Sequence, residues 1–336
     1  MVNDKILFFG SGDFAIPTFK SMIEHNYNIV GLVTSNDKLM FPERSNNQKL
    51  IDIALEHNIP TLVVGSTMND PDIYKWVQKK DADIFCVISF KYIPPIMLKC
   101  AKKIAFNIHG SLLPYFRGAA PIHHALLNGF EETGLTAFIL NEELDAGKII
   151  ETSKIAIYDT DDFSSLFCKM SDKCAEFTIY VIEKIAMFGE SYYKDMAYEQ
   201  PNIDIDEKHK KAPKPGPLFA YEWIHHTVEE IERYFKVLRP LNQPKIKLSL
   251  IDKKNGKRKS IELTVYNCKF SRKYNDIPVI ESDLKTYLKF SPKDSEWICS
   301  ITDIQCAGKK HVKLDEFLRG FVNIYKNYDF EIDSSI

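Results

Sequence analysis

The chain has 336 residues, of which 45% are hydrophobic and 12% aromatic, and its formal net charge is −2. This length indicates about two domains, and the composition excludes disordered and collagen-like chains. With no apolar run near the ~18 residues of a membrane-spanning helix, no secretory signal at the start, and seven cysteines without a C-x-x-C pair, we expect a soluble cytoplasmic protein with reduced thiols.

The first half of the chain alternates short apolar runs with amphipathic segments. Strands are predicted at 5–9, 28–34, 61–64, 82–90, 104–108, 135–140 and 148–157, and helices at 14–22, 51–57, 74–80, 94–100, 121–128 and 163–188. Thr160-Asp161-Asp162 supplies the N-cap of the last helix. Such alternation is typical of βαβ units, so we predict an α/β domain with a parallel-rich, Rossmann-like sheet buried on both faces.

The second half of the chain has a different pattern. Residues 190–218 are polar and include the proline-rich run Lys210–Pro217, which predicts a linker between domains. After it come a predicted helix at 228–238 and predicted strands near 244–251, 259–268, 284–290 and 296–305. This spacing favours a small β-barrel with one or two helices. We therefore predict domains at 1–189 and 219–336.

Charge is distributed unevenly between the two parts. From Ile205 onward there are 25 basic and 19 acidic residues, a balance of +6, whereas the preceding residues carry −8. Five cations surround Asn255-Gly256, a pair that predicts a tight hairpin turn with positive φ at both positions. They are Lys253, Lys254, Lys257, Arg258 and Lys259. Such a tip can bind phosphates or can simply be a solvated loop, and charge alone does not decide between these.

Three polar side chains are candidates for chemistry at the sheet. Asn107 and His109 lie two residues apart on a predicted strand, so they point to the same face. An amide can polarise a carbonyl, and an imidazole can exchange a proton near neutral pH. Asp145 lies in the loop after a neighbouring strand, where its carboxylate could orient the His109 ring. This combination suits acyl transfer, although a histidine at a strand end is more often structural.

Other candidate sites have weaker support. Gly10-Ser11-Gly12 lacks the third glycine of a dinucleotide loop, and no P-loop is present. The pairs His123-His124 and His225-His226 are consecutive, so the two rings of a pair do not share a helix face, and we expect no metal. No cysteine has a recognisable nucleophile setting, and Ser111 is not in a G-x-S-x-G turn.

The segment Phe106–Ile122 closely resembles the signature of the folate-dependent formyltransferases. Its end, Arg117-Gly-Ala-Ala-Pro-Ile122, is similar to the branch that acts on initiator methionyl-tRNA. Further resemblance lies in Glu132–Thr136, Leu144–Gly147 and Ile304–Lys310. The similarity is strong over 5–157, patchy in the linker, and returns near 300–320.

The resemblance implies a Rossmann-like domain followed by a C-terminal barrel like an OB-fold. It further implies formyl transfer from 10-formyltetrahydrofolate to the α-amine of methionine on the tRNA. We expect no metal and a monomer. Asn107 would bind the formyl oxygen, His109 would transfer a proton, and Asp145 would support His109 and an ordered water. The folate would contact Ser111, Leu112, Leu113, Pro114, Phe90, Tyr92 and Ile93. Candidate tRNA contacts are the five hairpin cations together with Lys309 and Lys310.

Two other functions remain as hypotheses. A sugar-nucleotide N-formyltransferase would use the same three polar residues and the same folate donor. A non-catalytic RNA- or folate-binding relative would not require all three. The loop Ser35–Lys49 is shorter than that of the family, contains no glycine, and balances Lys38, Arg44 and Lys49 against two acids.

Overall fold

The chain folds into two compact units, Met1–Lys214 and Pro215–Ile336, in a computed structural model. The structure describes residues 3–36, 47–215, 219–238, 243–272, 280–283, 287–291, 296–325 and 327–332. Most of the loop that follows the second strand, residues 37–46, therefore lies outside the described residues. Across these described ranges, no helix has the length and apolarity needed to cross a bilayer.

A seven-stranded sheet forms the centre of the first unit. Its strands are β1 (Ile6–Gly10), β2 (Ile29–Ser35), β3 (Thr61–Val64), β4 (Ile84–Ile88), β5 (Ile104–His109), β6 (Glu132–Ile139) and β7 (Ile149–Ala156). The order is β3-β2-β1-β4-β5-β6-β7. Strands β1 to β5 pair in parallel, whereas β6 and β7 are antiparallel to their neighbours. The predicted α/β fold with a parallel-rich sheet is confirmed.

Helices cover both faces of this sheet. They are α1 (Ile16–Glu24), α2 (Asn47–Glu56), α3 (Pro71–Lys79), α4 (Pro95–Leu98), α5 (Pro121–Leu127) and α6 (Phe163–Phe188). The cap of α6 lies where it was predicted, because Asp162 and Ser165 each accept a hydrogen bond from the other's backbone. Strand β1 is buried throughout, with Phe8 packing on Phe19 of α1 and the next residue, Phe9, on Phe85. Coverage of both faces explains its uninterrupted apolar sequence.

Residues 190–214 differ from the predicted linker, because they pack onto the first unit. They include α7 (Glu190–Lys194) and α8 (Glu207–Lys210), and the segment 197–214 is called the strap here. Tyr198 exchanges two backbone hydrogen bonds with Ile149, and Ala212 donates one to Arg117. Buried side chains in residues 190–214 are Tyr192, Tyr193, Ala197, Ile205 and Ala212. These few apolar residues are scattered among charged ones, so no periodic pattern predicts the packing.

The second unit contains an antiparallel sheet consistent with the predicted small barrel. Its strands are β8 (Lys245–Asp252), β9 (Arg258–Arg272), β10 (Ile280–Ser282), β11 (Leu288–Phe290), β12 (Trp297–Cys306), β13 (His311–Lys313) and β14 (Tyr328–Ile332), and its helices are α9 (Phe219–Glu222), α10 (Val228–Leu238) and α11 (Leu314–Tyr325). Buried Trp223 packs edge-on against Phe235 and Phe290 and donates its indole N–H to the Lys245 carbonyl. The short strands β10, β13 and β14 were not predicted, and residues 284–286 lie outside the described residues.

Candidate active site

Strand β5 carries the first two candidate side chains. Asn107 and His109 are separated by one residue in extended backbone, and both line a cavity of about 390 Å³ in the first unit. The side-chain oxygen of Asn107 is buried and has no hydrogen-bond partner among the described residues. A buried unpaired acceptor is costly, so this oxygen is suited to a donor on a ligand.

The His109 ring is oriented by the loop that follows its own strand. Its Nε2 lies 2.8 Å from the carbonyl oxygen of Phe116. A carbonyl only accepts hydrogen bonds, so Nε2 carries a hydrogen, and in the neutral ring the lone pair is on Nδ1. His109 is only 6% exposed, and Nδ1 is the nitrogen that faces Asp145.

Asp145 lies next to this ring without forming a direct hydrogen bond to it. The distance from Asp145 Oδ2 to His109 Nδ1 is 3.8 Å, which exceeds hydrogen-bond length. The same oxygen accepts a hydrogen bond of 2.8 Å from the Gly118 amide. The Phe116 carbonyl forms the direct hydrogen bond to the ring, and the role of Asp145 in orienting it stays a prediction. The two atoms are close enough for one water or substrate atom beside them to contact both.

The loop between β6 and β7 brings Asp145 to His109 by an indirect path. Because β6 is antiparallel to β5, its last residue, Ile139, pairs with Phe106 and not with His109. The loop thus leaves the sheet three residues, or about 10 Å, away from His109 and has to return. Gly147 permits this return, since a Cβ there would lie 1.7 Å from the Ile139 carbonyl oxygen.

Aromatic side chains form one wall of the cavity. Phe14 follows β1, and Phe163 and Phe167 lie on the first turns of α6, with ring centroids 5.4 to 5.7 Å apart. Ser171 of α6 donates a hydrogen bond to the Phe14 carbonyl and so fixes the two segments together. The rings of Phe14, Phe163 and Phe167 together form the aromatic wall of the cavity.

His123 also belongs to the cavity lining and packs on the aromatic wall. Its ring lies 4.2 Å from that of Phe163 and is only 6% exposed. Burial, followed by the neighbouring His124, lowers the pKa of His123 to about 3, so it is neutral at pH 7. Among the described residues, no cluster of three or more metal-binding side chains is found around it or elsewhere.

Two of the seven predicted folate contacts line the cavity. Phe90 and Tyr92 line the cavity, whereas Ile93 is buried in the core beneath α3 and α4. None of the four residues of the next predicted segment lines this cavity: Ser111, Leu112, Leu113 and Pro114. This segment is packed as scaffold, and its contact with the folate stays a prediction.

The hydrogen bonds of the 111–116 turn show why it is internal. Ser111 donates its hydroxyl to the Tyr115 carbonyl at 2.6 Å, and its own carbonyl accepts from Thr136. The Thr136 hydroxyl in turn accepts from the Leu113 amide. This turn shapes the backbone at Phe116, whose carbonyl holds His109. It contributes to the site through that carbonyl.

Several cavity residues were not predicted from the sequence. A sequence signal was available for Gly118, Ala119, Ala120, Pro121 and Ile122, which lie in the segment Phe106–Ile122, and for His123, which follows it. Phe163 and Phe167 had none, because aromatic residues four apart on a helix are also typical of an ordinary core. Ser11 and Phe14 were assigned no ligand role although they follow β1.

The predicted cationic hairpin is present in the second unit. Strands β8 and β9 pair up to Ile251 and Arg258, and only Gly256 in the loop has positive φ. The predicted two-residue turn is therefore corrected to a four-residue loop closed by the Asp252 amide and the Lys257 carbonyl. All five cations are exposed, and Lys253 contacts Asp329 at 3.3 Å. Lys309 and Lys310 are exposed in the turn between β12 and β13.

Known proteins share sequence and fold with this chain. A family model described as formyl transferase matches residues 4–182. A methionyl-tRNA formyltransferase of Azobacteroides pseudotrichonymphae is 32% identical over 94% of this chain and 95% of its own length. Another, from Parabacteroides distasonis, is 30% identical over 95% of this chain and 96% of its own length. The structure of an N-formyltransferase from Helicobacter canadensis, complexed with folinic acid and dTDP-3-aminofucose, has a TM-score of 0.58 at 15% identity, covering 89% of this chain and 99% of that one, and so shares the fold.

Proposed function

The chain belongs to the formyl transferase family, and we propose that it transfers a formyl group from 10-formyltetrahydrofolate to the α-amine of initiator methionyl-tRNA in the cytoplasm. The resemblance found in Phe106–Ile122 is confirmed, since the relatives named methionyl-tRNA formyltransferase match over nearly their full length. The observation that carries the proposal is the meeting of Asn107, His109 and Asp145 at one cavity.

The cavity fits a folate donor in size and in chemistry. Its volume of about 390 Å³ falls within the range of small-molecule sites. Phe90 and half-exposed Tyr92 offer ring faces to a planar heterocycle. When bound, 10-formyltetrahydrofolate supplies an electrophilic formyl carbon. We assign Phe90 and Tyr92 to its binding.

Asn107 and His109 act on the two sides of the formyl transfer. The Asn107 amide N–H is placed to donate to the formyl oxygen, where negative charge develops as the amine attacks. Its unpaired side-chain oxygen can accept a hydrogen bond from the incoming amine. The Nδ1 lone pair of His109 receives the proton that the amine loses, because Nε2 is already engaged with the Phe116 carbonyl. His109 then returns this proton to N10 of the folate as the bond from N10 to the formyl carbon breaks, so that tetrahydrofolate leaves.

Asp145 supports that proton transfer from 3.8 Å away. When His109 gains its proton, the carboxylate provides a nearby opposite charge, and both side chains are less than a tenth exposed. The Gly118 amide fixes the carboxylate in this position. The separation also allows Asp145 to hold a bridging water, as the family resemblance implies.

The aromatic wall supports a methionyl acceptor. Thioether sulfur makes favourable contacts with aromatic rings about 5 Å away, and Phe14, Phe163 and Phe167 present such rings. Neutral His123 adds a flat surface without a charge. An amino sugar with several hydroxyl groups would gain little from this surface.

The exposed cations of the second unit support binding of a nucleic acid. Lys254, Lys257 and Lys259 project from the hairpin region, and the described part of the chain places no carboxylate within ion-pair distance of them. Free ammonium groups attract a phosphate backbone without regard to its sequence. We therefore assign them, with Lys309 and Lys310, to the tRNA.

The function is tested by supplying both acceptors with 10-formyltetrahydrofolate. We expect formylation of charged initiator methionyl-tRNA and none of an amino sugar nucleotide, with product measured by mass spectrometry. His109→Ala should lower kcat about 10²- to 10⁴-fold, as loss of a general acid/base does. The control is His25→Ala, which removes an exposed imidazole that does not line the cavity and should leave kcat unchanged. Formylation of the sugar alone would overturn the proposal.

A further inference from the structure

The side-chain amide of Gln200, in the strap, connects two loops of the candidate site. Its oxygen accepts hydrogen bonds from Arg117 Nε at 3.1 Å and Nη2 at 2.6 Å. Its nitrogen donates to the carbonyl oxygens of Asp145 at 2.8 Å and Gly147 at 3.0 Å. Both donor hydrogens of the amide are thus used.

Each of these loops holds one partner of the proton-transfer pair. Arg117 lies between Phe116, whose carbonyl orients His109, and Gly118, whose amide holds the Asp145 carboxylate. Gln200 binds the backbone of Asp145 itself, where φ is +51°. A non-glycine residue in this region is strained and persists only when its surroundings hold it. Gln200 therefore bridges the two loops whose positions determine the 3.8 Å distance between His109 and Asp145.

The chemistry of the bridge requires an amide at position 200. A glutamate there could still accept from Arg117, but it would direct a negative oxygen at two carbonyl oxygens. An alanine would leave the Arg117 guanidinium and both carbonyls without this partner. The neighbouring Glu199 is exposed and contacts Lys148 instead, so the two positions have separate roles.

We propose that Gln200 is a positioning residue for formyl transfer, which sets the separation of His109 and Asp145 by tying the Asp145–Gly147 loop to Arg117. This inference rests on the proposed function. The strap thereby completes a catalytic arrangement built on the sheet, although Gln200 is 83 residues from Arg117 and 55 from Asp145 in the chain. Gln200 is not one of the residues that line the cavity.

The test uses the full chain with Gln200→Glu, Gln200→Ala and, as a matched control, Glu199→Gln. Both Gln200 variants should lower kcat about 10-fold or more, because small displacements of reacting groups are costly. KM for both substrates should stay near the wild-type value, because Gln200 does not reach the cavity. Arg117→Ala combined with Gln200→Ala should be no worse than the more damaging single change, since the two residues act as one unit.

A second measurement reports on Asp145 without any turnover. The Gly118 amide hydrogen is bonded to the Asp145 carboxylate, so its exchange with solvent, followed by NMR, should accelerate at least several-fold in both Gln200 variants and not in Glu199→Gln. Unchanged exchange in the folded Gln200→Glu protein would overturn the inference whatever the activity. Faster exchange with unchanged kcat would also overturn it. A wild-type protein that does not formylate methionyl-tRNA would refute the proposed function separately, and Gly118 exchange would still test the bridge.

Discussion

Three non-glycine residues beside the cavity have positive φ. These are Ser89 at 49°, directly after β4, Phe116 at 56°, whose carbonyl holds His109, and Asp145 at 51°. Each such conformation costs of order 1–3 kcal/mol and occurs mainly where the surroundings impose it. Their concentration around one cavity, on three separate segments, agrees with its assignment as the active site. Single-residue patterns in the sequence do not predict this backbone feature, because Ser, Phe and Asp all adopt ordinary turns.

His123 should make the stability of the protein depend on pH. The unfolded chain takes up a proton on this imidazole below about pH 6.5, whereas the folded protein does so only near pH 3. The unfolded state therefore binds more protons in this interval, and this group should lower the free energy of unfolding by about 1.4 kcal/mol for each unit that the pH is reduced. Urea unfolding at several pH values measures the slope.

The comparison that isolates His123 uses His123→Gln and, as a control, His25→Gln. The first variant should show a shallower pH dependence than wild type between pH 6 and 4, because glutamine does not titrate. The second should retain the wild-type slope, since His25 is exposed. Equal slopes for wild type and His123→Gln would show that His123 does not behave as a buried neutral group.

At the scale of elements, the β8–β9 hairpin combines a predictable turn with an exposed charge cluster. Changing Lys254, Lys257 and Lys259 together to glutamine should weaken tRNA binding at low salt. The slope of log affinity against log salt should flatten by about 0.7 to 0.9 for each phosphate that the variant no longer neutralises. Affinity measured by filter binding at four salt concentrations gives this slope. The turn itself should survive, because its hydrogen bonds come from Asp252 and Asn255.

A charge-matched control separates the hairpin from net charge. It changes Lys20, Lys75 and Lys79, three exposed lysines of the first unit, to glutamine. Net charge falls equally in both triple variants. If the hairpin contacts the tRNA, only the hairpin variant should alter the slope of log affinity against log salt. An identical slope in wild type and in the hairpin variant would assign those lysines to solvation.

The β6–β7 loop shows how an element's direction changes a prediction. The expectation that site residues lie at the carboxyl ends of strands holds for the cavity residues that follow β1 and β4 and for those on β5, strands that run in parallel. It fails for β6, which is antiparallel to β5, so Asp145 arrives by a loop that returns toward His109. A strand's sequence does not reveal which way it will run in the sheet. The residue was predicted, but its route was not.

At the scale of the whole molecule, the first unit ends at residue 214 and not at the predicted 189, because the strap packs onto it. Residues 1–214 should fold alone, because the strap's bonds to Arg117, Ile149 and Asp145 lie within this unit. Residues 1–189 should be less stable or insoluble, because they would expose Phe116 and Phe130, which pack on His209. Thermal unfolding of the two fragments followed by circular dichroism compares them. Equal melting temperatures would show that the strap adds no stability.

The sequence alone determined the elements and the nature of the chemistry. Periodic apolar runs, the cap of α6, the hairpin and the polar pair on β5 are local patterns, because each depends on residues within one element. The family resemblance likewise came from a continuous segment, Phe106–Ile122.

Only the tertiary structure decided how the site is held together. The Phe116 carbonyl orients His109, the aromatic wall joins α6 to the end of β1, and Gln200 bridges Arg117 and Asp145. These contacts join segments up to 157 residues apart, and their side chains have no distinguishing local pattern. The physical reason is that such partners are selected by packing and hydrogen-bond geometry, which exist only once the sheet and the strap are in place.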